Sequence, residues 1–104
     1  MVEKSIIWSQ RAVSELKDIL EFYTERNGNT RYAFKILDKT EEVLTILGQN
    51  EFIGRLTSNK ITRVVVMDVY LIFYEVQKSQ IEILSFWDNR QNPEKRIDQL
   101  LPKF

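Results

Sequence analysis

Residues 61–87, ITRVVVMDVYLIFYEVQKSQIEILSFW, decide the fold of this chain. Ile61 to Met67 and Val69 to Gln77 are dense in Val, Ile, Phe and Tyr, residue types that fit a pleated, half-buried surface, and Asp68 between them is a turn residue. Lys78-Ser79-Gln80 makes a second short turn before Ile81 to Trp87. Turns this short predict an antiparallel meander of three consecutive strands. Asp88-Asn89-Arg90-Gln91-Asn92-Pro93 ends the strand pattern. A short helix from Glu94 to Leu101 is expected after it, with Pro93 at the first position, where a missing N–H costs nothing.

Upstream, the apolar period lengthens. Val13, Leu16, Ile19, Leu20 and Tyr23 recur at three- and four-residue spacing with charged residues mostly on the other faces, so Gln10 to Glu25 reads as an amphipathic helix capped by Ser9. Asn27-Gly28-Asn29 stops it. Asn29 or Thr30 caps a second helix with the stripe Ala33, Ile36, Leu37, Thr40, Val43, Leu44 and Leu47, and Gly48 is placed to be its left-handed C-terminal residue. Ser5 to Trp8 is a short first strand, and Asn50 to Asn59, carrying Gly54, reads as loop. The expected order is β-α-α-β-β-β-(α), a helical hairpin on one face of a mostly antiparallel sheet, hence an α+β fold.

Composition narrows the function. At 104 residues the chain is expected to be one domain, 1–104, without repeats or linkers. Fifteen basic and fifteen acidic residues cancel, so the whole molecule lacks the positive charge that non-specific nucleic-acid binding relies on, and any such contact must be local. With no cysteine there are no disulfides, zinc-thiolate sites or thiol nucleophiles, and neither cofactor nor metal is expected. Asp38, Glu41 and Glu42 have helical spacing that suits a hard cation, but no second carboxylate cluster accompanies them and a solvated helix face explains them better. The opening Met-Val-Glu-Lys-Ser-Ile-Ile-Trp carries an acid and an apolar run too short for a signal or membrane span, so a cytoplasmic protein with no membrane partner is expected.

Local charge is more informative than the total. Between Phe52 and Met67 stand Arg55, Lys60 and Arg63 with no acid among them, beside the first strand of the meander. A positive field next to a rigid sheet suits a phosphate or a partner's carboxylates, while plain solubility is the competing reading.

Several residues together carry a resemblance: Trp8-Ser9 with Ala12 and Leu16, Tyr32-Ala33, Gly54-Arg55, Arg63, the Tyr70-x-Ile72-x-Tyr74 strand, and Trp87-Asp88-Asn89-Arg90-Gln91-Asn92-Pro93. In order and spacing they resemble the RelE/ParE toxin superfamily over nearly the whole chain. The resemblance implies the toxin half of a type II toxin–antitoxin, or plasmid stabilisation, system: a small cytosolic protein neutralised by an antitoxin that wraps its surface.

The superfamily holds two activities. RelE-like members cut mRNA on the ribosome with basic residues on the sheet and a terminal tyrosine or histidine assisting proton transfer. This chain has no histidine, Leu71 stands where their Tyr-Arg-Leu-x-Tyr pattern has its arginine, Thr62 and Val64 stand where their lysines fall, and no tyrosine follows Arg90. Only Arg63 and Arg90, with Lys60 and Arg55, remain to hold a phosphate. Asp88 and Glu75, with an ordinary pKa near 4, are weak bases at neutral pH. ParE-like members block DNA gyrase without a catalytic group, and share the arginine at Arg63 and a loosely basic tail, here Arg90, Lys95, Arg96 and Lys103. The resemblance is closer to this branch. Taken with the basic stretch, it points to target binding through Arg55, Lys60, Arg63 and Arg90, with no catalytic residue assigned unless the chain is a nuclease, for which Arg63 and Arg90 would serve.

Structural roles compete at each position. Arg63 can snorkel past the core or pair with Glu75 or Asp88. Arg55 can simply close its loop, and Trp8, Trp87, Tyr70 and Tyr74 fit core and cross-strand packing better than base stacking. Edge strands and the flank of the helical hairpin are the expected docking surfaces for an antitoxin tail. Nucleic acid enters only indirectly, or through the ribosome if the chain is a nuclease; a decayed, non-toxic antitoxin-binding domain is the third reading.

Overall fold

The computed structural model describes residues 4–100. Strand β1 (Ser5–Trp8) leads into helices α1 (Gln10–Asn27) and α2 (Arg31–Gln49), and strands β2 (Arg55–Leu56), β3 (Thr62–Met67), β4 (Tyr70–Val76) and β5 (Gln80–Asp88) follow. The sheet order is β1-β5-β4-β3-β2, antiparallel throughout except that β1 runs parallel to β5. This is the expected α+β arrangement, a helical pair on a five-stranded, mostly antiparallel sheet.

Local chemistry sets the boundaries. The Ser9 side chain accepts the Ala12 N–H at 3.0 Å and so caps α1, and Gly28, at φ +70°, ends it in the left-handed conformation that glycine adopts without steric cost. Between the two expected caps of α2, it is the Asn29 side chain that accepts, from the Arg31 N–H at 3.1 Å; Thr30 makes no side-chain cap. At Asp68 the chain turns with φ 58°, joining β3 to β4.

Three expectations about element boundaries are corrected. Gly48 does not terminate α2: the helix continues through Gln49, and the Asn50 N–H closes it onto the carbonyls of Ile46 and Leu47. The stretch 50–59 is not all loop, because Arg55 and Leu56 pair with Val64 and Arg63 as a two-residue edge strand. The expected helix from Glu94 to Leu101 is broken: Pro93–Lys95 forms a 3-10 turn capped by the Asn92 side chain, Arg96 is extended at ψ 144°, and helix α3 covers Ile97–Leu100. Leu101 and Lys103 lie outside the described residues.

Both faces of the sheet are covered, unequally. Toward the helices lies the main core, in which Ala12, Ile19, Ile36 and Leu47 pack on Tyr70, Ile72, Tyr74, Ile81, Ile83 and Phe86. The expected packing role of Tyr70, Tyr74 and Trp87 holds, since all three are buried. Val13, expected in the apolar stripe of α1, instead faces solvent. On the other face a smaller cluster of Val64, Leu71, Phe73 and Trp87 is closed by Ile97, so the C-terminal segment acts as a partial second layer. A helix-breaking Arg96 is tolerated because it serves this layer: its guanidinium grips Asp98 at 2.6 and 2.9 Å above the Phe73 ring.

Candidate functional site

The basic residues separate once the sheet is built. In antiparallel pairs, directly opposite residues share a face. Arg63 is opposite Tyr74 and Leu56, on the helix side. Arg55 is opposite Val64, on the other side, where it overlooks a trough of about 320 Å³ shared with Ser58, Arg96 and Gln99. Lys60 sits in the turn before β3 at φ 63°, exposed. Arg90 lies beyond the far end of β5. Since Arg63 pairs with Tyr74 while Met67, Tyr70 and Asp88 align at the opposite end, these two arginines start about 13 Å apart along the strands.

Arg63 and Arg90 also have different commitments. Arg90 is held by Asp88: its backbone N–H and Nε donate to Asp88 Oδ1, both at 2.9 Å, its Nη2 donates to Oδ2 at 2.7 Å, and Nη2 also donates to the Tyr23 hydroxyl. Burial alone would raise the Asp88 pKa, but these hydrogen bonds outweigh it and hold the carboxyl below its ordinary value; the same bonds raise Arg90. Asp88 is therefore engaged and poorly placed to serve as a base. Glu75 is opposite Thr62 on the helix-free side.

Arg63 pairs with neither Glu75 nor Asp88. Its Nη1 donates to the Gly54 carbonyl at 2.8 Å and makes a long 3.5 Å contact with the Phe52 carbonyl, while its Cζ lies 4.9 Å from the Phe52 ring centre. The loop it holds is pinned from below as well. Buried Tyr74 donates its hydroxyl to the Glu51 carbonyl at 2.9 Å and accepts the Gly54 N–H at 2.8 Å, and Lys4 pairs with Glu51 at 2.6 Å. Burial pushes the Tyr74 phenol up, so it stays a neutral donor and acceptor at physiological pH. The turn that carries Lys60 is built by Asn59, whose Oδ1 accepts from the N–H groups of Ile61 and Thr62 and from the Thr57 hydroxyl.

Around Arg63, apolar side chains face solvent: Phe52 is 59% exposed, Ile61 52% and Leu56 44%. Sequence reasoning missed this rim. Phe52 and Leu56 lay in a stretch read as loop, and Ile61 in a strand read as core; a bulky aromatic two residues before a loop glycine was the available signal.

The positions where nuclease cations would stand lie together on the helix-free face and hold buried, uncharged side chains, Val64 and Leu71 in the wall of the trough beside Arg55 and Arg96. Thr62, Val64 and Leu71 are 2%, 4% and 7% exposed, and Val64 and Leu71 pack with Phe73, Trp87 and Ile97. Asp38, Glu41 and Glu42 are exposed on α2, and no group of three or more acidic, histidine or cysteine side chains among the described residues is placed to hold a metal. No described helix is long and apolar enough to cross a membrane.

Fold and site together define a RelE/ParE-like α+β protein with an exposed, arginine-centred corner. Residues 6–93 match the family model described as the ParE toxin of the type II toxin–antitoxin system, parDE, and the chain belongs to that family. A solved structure described as a chromosomal ParDE toxin–antitoxin system from P. aeruginosa has a similar fold, with a TM-score of 0.66 at 20% identity over 81% of this chain and 94% of that one. A search of curated proteins finds no significant match.

Proposed function

We propose that this type II toxin acts in the cytoplasm by binding an essential protein, with DNA gyrase as the target to test first, and that a cognate antitoxin neutralises it. The observation that carries this reading is that Thr62, Val64 and Leu71, where nuclease cations would stand, are buried and uncharged. Cleavage by attack of a ribose hydroxyl needs a base, an acid and positive charge at one phosphate; the trough over that face offers Arg55 and Arg96 as charge, but Asp98, the one carboxylate among its lining residues, is already held by Arg96. Arg63 and Arg90 are too far apart, and too differently engaged, to substitute as a single clamp. Arg55, Lys60, Arg63 and Arg90 are retained as candidate contacts to the target, with Arg63 the foremost because its guanidinium lies over the exposed Phe52 ring, opposite exposed Leu56, and has no carboxylate partner among the described residues. Arg90 is the weakest of the four because Asp88 already occupies it.

Purified toxin should inhibit DNA supercoiling by gyrase, and added antitoxin should restore it. Undisturbed supercoiling at micromolar toxin removes gyrase as the target. Gel filtration of the chain expressed with its neighbouring antitoxin should show a larger species than the chain alone, and an unchanged elution position removes the antitoxin assignment.

A further inference from the structure

Arginine carries five N–H donors, and in Arg63 only Nη1 is spent, on the carbonyls of Gly54 and Phe52. Its Nε and Nη2 groups have no acceptor among the described residues. These two form the edge that matches a carboxylate with two parallel hydrogen bonds. One edge of the guanidinium thus fixes a loop while the other remains available.

The surroundings of that free edge are equally specific. Leu56 is directly opposite Arg63 across the β2–β3 pair, the Phe52 ring lies under the guanidinium, and exposed Ile61 immediately precedes β3, two residues from Arg63 in the chain. Exposed Phe52 and Leu56 therefore flank one arginine, and exposed Ile61 stands at the entry to its strand. The loop bearing Phe52 is already immobilised by Tyr74, Arg63 and the Lys4–Glu51 pair, so little ordering remains to be done on binding. A rigid aromatic and an arginine with apolar neighbours have the composition of a protein–protein hot spot.

We infer that this corner is the target contact: the Nε/Nη2 edge of Arg63 takes a carboxylate of the partner protein, seated in an apolar recess that accepts Phe52, Leu56 and Ile61. The inference rests on the binding-toxin reading and narrows it to one corner, leaving Arg55 on the opposite face and Arg90 at the opposite end. A protein fits better than a nucleic acid. Exposed apolar side chains beside one guanidinium, in a chain of zero net charge, do not make the cationic track that a phosphate backbone needs.

Three variants test it by colony counts after induction without antitoxin, with the urea-denaturation midpoint of the purified protein as the fold control and antitoxin affinity measured alongside. Ile61→Glu and Phe52→Ala alter exposed side chains. Arg63→Lys keeps the charge and removes the two-pronged edge. Each should weaken target binding about 30-fold, enough to restore colonies, with antitoxin affinity unchanged. If the wild type arrests growth and all three variants arrest it equally, the corner is wrong while the toxin reading survives. A wild type that leaves colony counts unchanged overturns both. Parallel loss of toxicity and antitoxin affinity would assign the corner to the antitoxin. Micromolar binding of a labelled RNA or DNA that Arg63→Lys abolishes would assign it to phosphate, and each of these results overturns the inference.

Discussion

One added methyl group at Gly54 should be among the most damaging changes that leave every charge in place. Gly54 is buried under the loop, and a Cβ there would lie 2.6 Å from Tyr74 Oη, 2.7 Å from Tyr74 Cε1 and 2.9 Å from the Val64 carbonyl oxygen. None of these atoms is free to retreat. The Val64 oxygen belongs to the sheet, and the Tyr74 hydroxyl is fixed by the Gly54 N–H and the Glu51 carbonyl. Overpacking of this kind costs about 1–3 kcal/mol, and losing two hydrogen bonds adds about 1 kcal/mol each, so Gly54→Ala should cost about 3–5 kcal/mol. In urea denaturation the midpoint should fall by about 2 M if the slope is unchanged. Tyr74→Phe alone should cost about 1–3 kcal/mol, because it strands the Gly54 N–H and the Glu51 carbonyl. The double variant should be less unstable than the sum by about 1 kcal/mol, since the closest collision disappears with the hydroxyl. A Gly54→Ala protein within about 0.5 kcal/mol of wild type would refute the reasoning, and with it the claim that the loop is rigidly held.

Three further outcomes are expected. Ile97→Ala, which uncovers Phe73, Leu71 and Trp87, should cost about 2–4 kcal/mol in urea denaturation and make the segment after Asp88 more sensitive to limited proteolysis. Lys60→Gly should raise stability by about 0.5–1 kcal/mol, because a side chain at φ 63° pays a steric penalty that glycine escapes; a lower urea midpoint would contradict this. Asp88 titrates below its ordinary value in the folded protein, so its contribution is present above the unfolded pKa and is lost as pH falls through the folded one. The stability gap between wild type and Asp88→Asn should therefore be level from pH 8 to pH 5 and narrow below about pH 4, as thermal melts across that range would show.

How much of this was legible in the sequence depended on how local the causes were. The meander could be read because β-branched and aromatic residues run continuously from Thr62 to Trp87 with turn residues between them. The helices could be read from their period and from Ser9, Asn29 and Gly28, whose capping roles involve neighbours within a few positions. Strand β2 could not, because two residues carry no period and Arg55 and Leu56 are extended only by pairing with β3. The break at Arg96 was hidden for a similar reason: Ile97 and Arg96 are drawn onto Phe73 by the second core, and packing overrides helical preference. At the site, the cations were visible but their use was not. Arg63 serves carbonyls nine and eleven residues upstream, Tyr74 serves a loop 20 to 23 positions away, and neither link leaves a local pattern.

The central claim is that this toxin binds its target instead of cutting RNA. Mapping of mRNA 5′ ends in cells arrested by the chain alone tests it most directly. The account predicts growth arrest with the pattern of 5′ ends unchanged from uninduced cells. New ends within translated messages, absent when Arg63→Ala is induced, would contradict it.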